Sequence, residues 1–496
     1  MLSLSFIKEI EKIIGRENVL TGEADRQNYA YDAAVLPPVV PGLVVRPTRT
    51  DQLGPLIQKC YEEGIPITIR GSGTNLSGGT IPDSTDAVII LTNSLDRILE
   101  INEEEMYAVV EPGVITCDLA AAVAARGLFY PPDPGSMSVS TMGGNIAENS
   151  GGLRGLKYGT TKKYVMGLEV LTETGEIMKT GACGRGCEYG YNLTELLVAS
   201  EGTLALTSKA VLKLVTPPKA SKAMMAIFPE VKRASQAVAG IIAAHVVPCT
   251  LEFMDNATIN YVEDYVNIGL PRDAAAILLI EVDGHPAQVA DEAVSVEKVL
   301  KDSGALEVVV AKDAAEKTRI WEARRVAIPA LARCRPTLML EDATVPRSKI
   351  PAMLEALDKI AARHHVTIGT FGHAGTAICT RPSSATSATR KNSPEWSGLL
   401  TICSMWRWSL GARCRANTAS ALPKRSGLNW KPQREPSSIC GVCAPLSIRR
   451  SCSTLRRSFP SRVFRDGGRR LCGRQVLTFY SGRNGPWMSL PNLPMP

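Results

Sequence analysis

The chain has 496 residues, 45% of them hydrophobic and 21% charged, which is long enough to bury two or three cores and too apolar for a disordered polyelectrolyte. No run of about 18 apolar residues occurs, which excludes a membrane-spanning helix. The net charge of +7 conceals a division: residues 1–375 carry 36 basic and 46 acidic side chains, whereas residues 376–496 carry 20 and 3.

In chain order, residues 1–38 form an N-terminal helical segment. Phe6, Ile7, Ile10, Ile13 and Ile14 fall on one helical face, with Ser5 the expected N-cap and Glu9 close behind it. Acids and lysines interrupt any apolar core there, so the segment does not read as a secretion signal. The chain is expected in a reducing cytoplasm with its thiols free. From 39 to 218 short β-branched strands (Gly42–Arg46, Pro66–Ile69, Ala87–Leu91, Tyr107–Val110) alternate with helices at about 49–62 and 116–126. Met166 to Met178 reads as a hairpin turning at Thr174-Gly175, and Leu204 to Val215 as a strand leading out. Pro217-Pro218 marks a boundary. A second unit, 219–375, runs strand, helix, strand, strand, helix, strand through Ala223–Phe228, a helix to His245, Leu251–Phe253, Ala276–Val282, a helix over 286–302 and Leu306–Val310. That order is ferredoxin-like, and the fold class is α+β.

Chemistry points first to Arg70-Gly-Ser-Gly-Thr-Asn-Leu-Ser-Gly-Gly79, whose glycines and small hydroxyl residues leave backbone N–H groups open to a diphosphate. No Gly-Lys-Ser/Thr follows, so this is not a Walker loop. The Rossmann spacing fails at Leu76, and Asp96 does not end the next strand. An ordinary glycine-rich surface turn is the alternative. A second such stretch, Pro131 to Ser136 running on to Thr141–Gly152, changes the balance, together with Lys157-Tyr-Gly-Thr160 and Glu201-Gly-Thr-Leu204.

Together these motifs resemble the two-part FAD-binding domain of the vanillyl-alcohol oxidase type. They are most similar to the branch of FAD-linked 2-hydroxy-acid oxidases and dehydrogenases that includes the glycolate oxidase D subunit and D-lactate dehydrogenase. The resemblance covers residues 1–375 and makes 219–375 the cap that carries substrate groups. It implies cofactor contacts from Arg70, Gly71, Ser72, Gly73, Thr74, Asn75 and Gly78 in the first loop. In the second it implies Pro132, Asp133, Ser136, Ser140, Thr141, Gly143, Gly144, Asn145, Ala147, Gly151 and Gly152, followed by Tyr158, Gly159, Glu201, Gly202 and Leu206. Relatives usually have glycine at the place of Ala205. Asn75 stands where relatives that attach flavin covalently often have histidine, so non-covalent FAD is expected.

The implied activity is FAD-dependent oxidation of a small 2-hydroxy acid, glycolate or D-lactate, to the 2-oxo acid. By resemblance Arg324, within Trp321-Glu-Ala-Arg324, forks the substrate carboxylate; a solvated helix charge beside Arg325 is the alternative. Leu340–Pro346 and Phe371-Gly-His-Ala-Gly375 also match the family. His373 resembles the first histidine of a pattern that continues Asp-Gly-Asn-Leu-His, where two histidines and a later glutamate hold a divalent metal; a structural histidine is the alternative. Relatives of the glycolate type work with separate FAD and iron–sulfur subunits, which implies such partners and peripheral membrane association through them. The cysteine pairs Cys183/Cys187 and Cys440/Cys443 lack a second pair at zinc spacing and read as chance.

After Gly375 the family pattern stops. Deleting one base from a plausible coding of Asp-Gly-Asn-Leu-His-Pro-Thr gives Thr376-Ala-Ile-Cys-Thr-Arg-Pro382. The same shift applied to Gly-Glu-His-Gly-Ile-Gly-Thr-Ala-Lys-Ala gives Ala416 to Arg425. Residues 376–496 are therefore read as an out-of-frame basic tail that contributes little to a packed fold, with eleven prolines and no amphipathic repeat. A nucleic-acid-binding arm explains the charge but not the sequence, so no nucleic-acid partner is expected. The frame change puts Thr380 at the second metal histidine, Asn417 at the glutamate and Thr418 at the base histidine, leaving His373 alone of these groups. A non-catalytic flavin-binding remnant is the competing reading.

Overall fold

The computed structural model describes residues 2–181, 191–333, 337–345, 349–364, 367–374 and 378–385. The cysteine pairs at 183/187 and 440/443, and the positions of Asn417 and Thr418, lie outside these residues. Among the described residues no helix is long and apolar enough to cross a membrane, and Cys60, Cys117 and Cys249 are free thiols.

The first helix, Leu4–Ile14, buries Phe6, Ile10 and Ile14. Its N-cap is Ser3, whose hydroxyl accepts from the Phe6 N–H, and not Ser5. The earlier serine closes the cap because its side chain sits three residues ahead of a free N–H of the first turn. This helix and Leu53–Glu62 cover one face of a four-stranded sheet ordered β1 (Val19–Leu20), β2 (Leu43–Val45), β4 (Val88–Leu91), β3 (Ile67–Arg70). Strands β2, β4 and β3 are parallel, so the Arg70–Gly79 loop leaves the carboxyl end of β3, where open parallel sheets bind ligands.

A five-stranded antiparallel sheet follows, ordered β5 (Ile98–Asn102), β6 (Tyr107–Val110), β9 (Leu206–Lys213), β7 (Val165–Leu171), β8 (Ile177–Gly181). The hairpin β7–β8 turns at Gly175, which has φ +81°, as the sequence suggested. Helices Thr116–Ala124 and Met142–Glu148 pack on this sheet around Tyr130, Leu119 and Ile146.

The second unit holds β10 (Ala220–Phe228), β11 (Thr250–Asp255), β12 (Ala276–Gly284) and β13 (Glu307–Val310), ordered β13-β10-β12-β11 and all antiparallel, with helices Val231–Ala243 and Pro286–Asp302 on one face. This is the ferredoxin-like order. Strands β10 and β12 are buried on both sides. Their second face is covered by Asn256–Val266, Ala314–Arg325 and Ala327–Ala332, with Trp321 and Phe371 in that core. The sheet continues through β16 (Phe371–His373) and β17 (Ile378–Ala385) to β14 (Thr337–Thr344), and β15 (Thr367–Ile368) also pairs with β17.

The tail from Thr376 was expected to contribute little to a packed fold; its described part, Ile378–Ala385, pairs antiparallel along the whole of β14. Ladder hydrogen bonds come from the backbone, so the open N–H and C=O groups of β14 can pair with this strand, Pro382 alone lacking an N–H to donate. Residues 386–496 lie outside the described residues.

Candidate active site

A cavity of about 650 Å³ opens between the two glycine-rich loops on one side and the second unit's Arg324, Arg325, Ile328, Pro329, Leu340, Phe371 and His373 on the other. Of the residues expected to contact cofactor, Gly71, Ser72, Gly73, Thr74 and Asn75 line it from the first loop. Ser136, Ser140, Thr141, Gly143, Gly144, Asn145, Ala147, Gly151 and Gly152 line it from the second, with Glu201, Gly202 and Leu206 at one end. Ala205 lines it too.

The glycines are explained by close approach. A Cβ on Gly71 would stand 2.2 Å from Thr141 Oγ1, so the two loops meet there. Gly152 has φ +151°, and a Cβ on it would lie 1.7 Å from the Asp133 carbonyl oxygen. Gly135 and Gly155 have nothing within 4 Å of an added Cβ, so a methyl there would occupy open space at the cavity wall. Thr141 caps the helix Met142–Glu148, its hydroxyl accepting from the Gly144 N–H. The Ser140 hydroxyl and the Asn145 amide turn inward instead, to the Thr116 hydroxyl at 3.0 and 2.6 Å. Ala199 and Glu201 hold left-handed backbone, φ 71° and 54°, pinned by N–H bonds to the carbonyls of Ile146 and Ala147. Such strain beside a cavity persists only where its surroundings enforce it.

Six expected contacts do not line the cavity: Arg70, Gly78, Pro132, Asp133, Tyr158 and Gly159. Four have another visible task. Buried Arg70 supports the loop from behind, donating to the Tyr31 carbonyl at 2.6 Å, and a Cβ on Gly73 would meet its guanidinium. Gly78 and Gly159 hold positive φ at turns, 75° and 85°. The Tyr158 hydroxyl donates to Asp283 Oδ2 at 2.6 Å, while Lys157 Nζ contacts Asp283 Oδ1 at 2.6 Å, so this pair ties the first unit to β12. Burial and the Asp283 carboxylate push the Tyr158 phenol well up, keeping it a donor. Asp133 is buried behind the second loop, 3.6 Å from Arg325 and 3.8 Å from Arg154. The structure shows no specific contact that explains Pro132.

Asn75 is engaged within the protein. Its amide N–H donates to Asp32 Oδ2 at 2.8 Å, and its carbonyl oxygen accepts from the Thr80 hydroxyl at 3.1 Å.

On the opposite wall, Arg324 is 8% exposed and its guanidinium lies over the Phe371 ring, 4.7 Å from the centroid. Arg324 Nε donates to Glu252 Oε2 at 2.7 Å, and Glu252 Oε1 lies 2.5 Å from His373 Nδ1. Glu252, on β11, is fully buried and was read from sequence only as a strand residue. Burial works to raise its pKa, but His373 and Arg324 outweigh burial and hold its carboxyl below the usual range. A lone acid between apolar neighbours was the available signal, since a glutamate buried in a strand needs partners. Arg324 is therefore not the solvated helix charge that was the alternative; Arg325 is the more exposed of the two, its side chain 43% accessible. Among the described residues no group of three or more His, Cys, Asp or Glu is placed to hold a metal ion.

Comparison with known proteins identifies this arrangement. The FAD binding domain family matches residues 41–181, and the C-terminal domain of FAD linked oxidases matches residues 217–386, eleven residues beyond Gly375. Glycolate oxidase subunit GlcD of Bacillus subtilis (strain 168) is 46% identical over 375 residues, covering 76% of this chain and 80% of its own. D-lactate dehydrogenase of Archaeoglobus fulgidus is 31% identical over 379 residues, covering 75% and 81%. Among solved structures, alkyldihydroxyacetonephosphate synthase superposes with a TM-score of 0.69 at 18% identity, covering 83% of this chain and 80% of that one. p-Cresol methylhydroxylase superposes with a TM-score of 0.67 at 16% identity, covering 83% and 89%. These two share the fold. The matched domains and the 46% identical relative show that the chain belongs to the FAD-linked oxidase family of oxidoreductases, with FAD as its cofactor.

Proposed function

We propose that this protein oxidises a small 2-hydroxy acid, glycolate or D-lactate, to the 2-oxo acid, with FAD held non-covalently between the two glycine-rich loops. One observation carries the reading: a single cavity has the open backbone of both loops on one wall and Arg324 and His373 on the other. The residues fit the cofactor, because the glycines at 71, 143 and 152 let backbone segments close around the cleft where a Cβ would strike Thr141, Pro112 or Asp133. FAD, when bound, supplies the hydride acceptor.

The protein's own groups do the rest. Gly71–Asn75 and Thr141–Asn145 present backbone donors to phosphate. Arg324, fixed by Glu252 and Phe371, offers its remaining N–H groups to the substrate carboxylate. The apolar side chains of Ile328, Pro329, Leu340 and Phe371 help exclude water beside it. His373 adds a ring nitrogen near the hydroxyl-bearing carbon as a hydrogen-bonding group. Asn75, held by Asp32 and Thr80, is not a nucleophile, which supports the non-covalent reading.

Its relatives named GlcD are subunits of a glycolate oxidase, so association with further FAD and iron–sulfur subunits is part of this proposal. So are a cytoplasmic location and attachment to the membrane only through those subunits. The test compares this chain with one in which the missing base is restored, measuring dichlorophenol-indophenol reduction with glycolate and D-lactate at equal flavin content. A positioned base contributes about 10²- to 10⁴-fold, so the restored protein should be faster by that order. Equal rates would remove the catalytic roles assigned to the positions now occupied by Thr380, Asn417 and Thr418.

A further inference from the structure

The geometry assigns to Glu252 the role of a positioning residue that fixes both the ring tautomer of His373 and the direction of Arg324. This rests on reading the cavity as the flavin and hydroxy-acid site. Glu252 does not line the cavity, whereas both of its partners do. Register explains the contact: Glu252 on β11 stands directly opposite His373 on β16, and residues opposite each other in an antiparallel pair project to the same face. The helix Ala314–Arg325 packs over that face and delivers Arg324 Nε to the second carboxylate oxygen. A fully buried carboxylate thus spans two donors, at 2.5 and 2.7 Å, with none of its own length reaching the substrate space.

The chemistry of the three groups dictates the proton positions. An ionised carboxylate only accepts, and a guanidinium only donates. His373 must then carry a proton on Nδ1 to complete the contact, so that in the neutral ring the lone pair is on Nε2. Arg324 spends Nε on Glu252 and keeps its two terminal nitrogens for a carboxylate. One side chain thereby sets the donor at one end of a bound hydroxy acid and the acceptor at the other.

The substitution Glu252→Gln tests this. Glutamine has one acceptor oxygen, and Arg324 cannot lose its proton, so the oxygen goes to Arg324 and the NH₂ group faces His373. The ring must then accept at Nδ1 and carry its proton on Nε2, the reverse of the native tautomer. Nitrogen-15 two-bond correlation spectra at pH 9, with the His373 signals assigned by their loss in His373→Asn, read this directly. Oxalate, a planar dianion, is the binding probe, followed through its perturbation of the flavin absorbance of the full chain.

The expected result is Nδ1 protonation in the native protein, reversal in Glu252→Gln, and oxalate affinity lowered about 10- to 100-fold, the usual cost of removing an orienting partner. Val262→Ala, in the core of the same unit, should lower stability without moving either signal. A native His373 protonated on Nε2 overturns the assignment, and this spectrum needs no variant. Oxalate affinity in Glu252→Gln within about threefold of native overturns the positioning of Arg324. A native protein that carries no flavin would instead refute the reading of the cavity, while the His373 spectrum would still judge Glu252.

Discussion

Gly152→Ala is the most direct test of the cradle. At φ +151° an alanine sits in backbone space that is nearly restricted to glycine, at about 1–3 kcal/mol. Its methyl would also start 1.7 Å from the Asp133 carbonyl oxygen and 2.8 Å from Pro134 N. Both are backbone atoms, so the 131–136 segment must shift, and overpacking of this kind costs about another 1–3 kcal/mol. If the strain is relieved by opening the second loop at the cavity, all of it falls on FAD affinity, which at about 1.4 kcal/mol per tenfold is a loss between about 30-fold and about 10⁴-fold. Gly127→Ala is the control: φ is +70°, no heavy atom lies within 4 Å of its Cβ, and it is not part of the cavity. The assay is a titration of deflavinated protein with FAD, followed by quenching of flavin fluorescence, with melting temperatures recorded alongside. Gly127→Ala should lower stability by about 1–2 kcal/mol and leave FAD affinity unchanged. If Gly152→Ala binds FAD within about threefold of native, the close approach of the two segments does not shape the site.

Acid precipitation should leave the flavin in a yellow supernatant, because the Asn75 amide is committed to Asp32 and Thr80; colour retained in the pellet would refute non-covalent binding. Asp255 supplies a pH dependence. Burial pushes its carboxyl up to about 6, with the N–H groups of Thr258 and Thr370 only partly opposing. A raised folded-state pKa means that its contribution is fully present below the unfolded value of 3.8 and is lost as pH rises through about 6. The difference of about two units corresponds to about 3 kcal/mol. Denaturant midpoints should therefore lose this contribution between about pH 4 and pH 6 in the native chain, and Asp255→Asn should abolish that component of the profile. Parallel profiles for the two proteins would show that Asp255 does not titrate in this window.

The strands and the ferredoxin-like order were legible because β10 and β12 are continuous apolar runs flanked by helices of clear periodicity, Val231–Ala243 and Pro286–Asp302. The helix Ala314–Arg325 was less so: its face toward the sheet carries Trp321 and Arg324, and a buried arginine cancels the periodic signal. The glycine loops were legible as a site, but not which of their side chains face it. Ser140 and Asn145 turn to Thr116, and Arg70 turns to Tyr31, all long-range contacts that spacing does not encode. Glu252 was missed for the same reason. Its partners lie 72 and 121 residues away, brought to it by the helix Ala314–Arg325 and by the pairing of β11 with β16.

That pairing also bears on what the residues after Gly375 contribute. Residues up to Ala374 include the glycine loops, the helix bearing Arg324 and the strand bearing His373, so the contacts Arg324–Glu252–His373 are complete before Gly375. Strand β17 then pairs with β14 and β16 through its backbone, except that Pro382 has no N–H to donate. Within that ladder the backbone of Thr380 stands opposite Phe371, which lines the cavity. Arg324 and His373, the groups proposed to bind and orient the substrate, thus lie before the change in charge that follows Gly375.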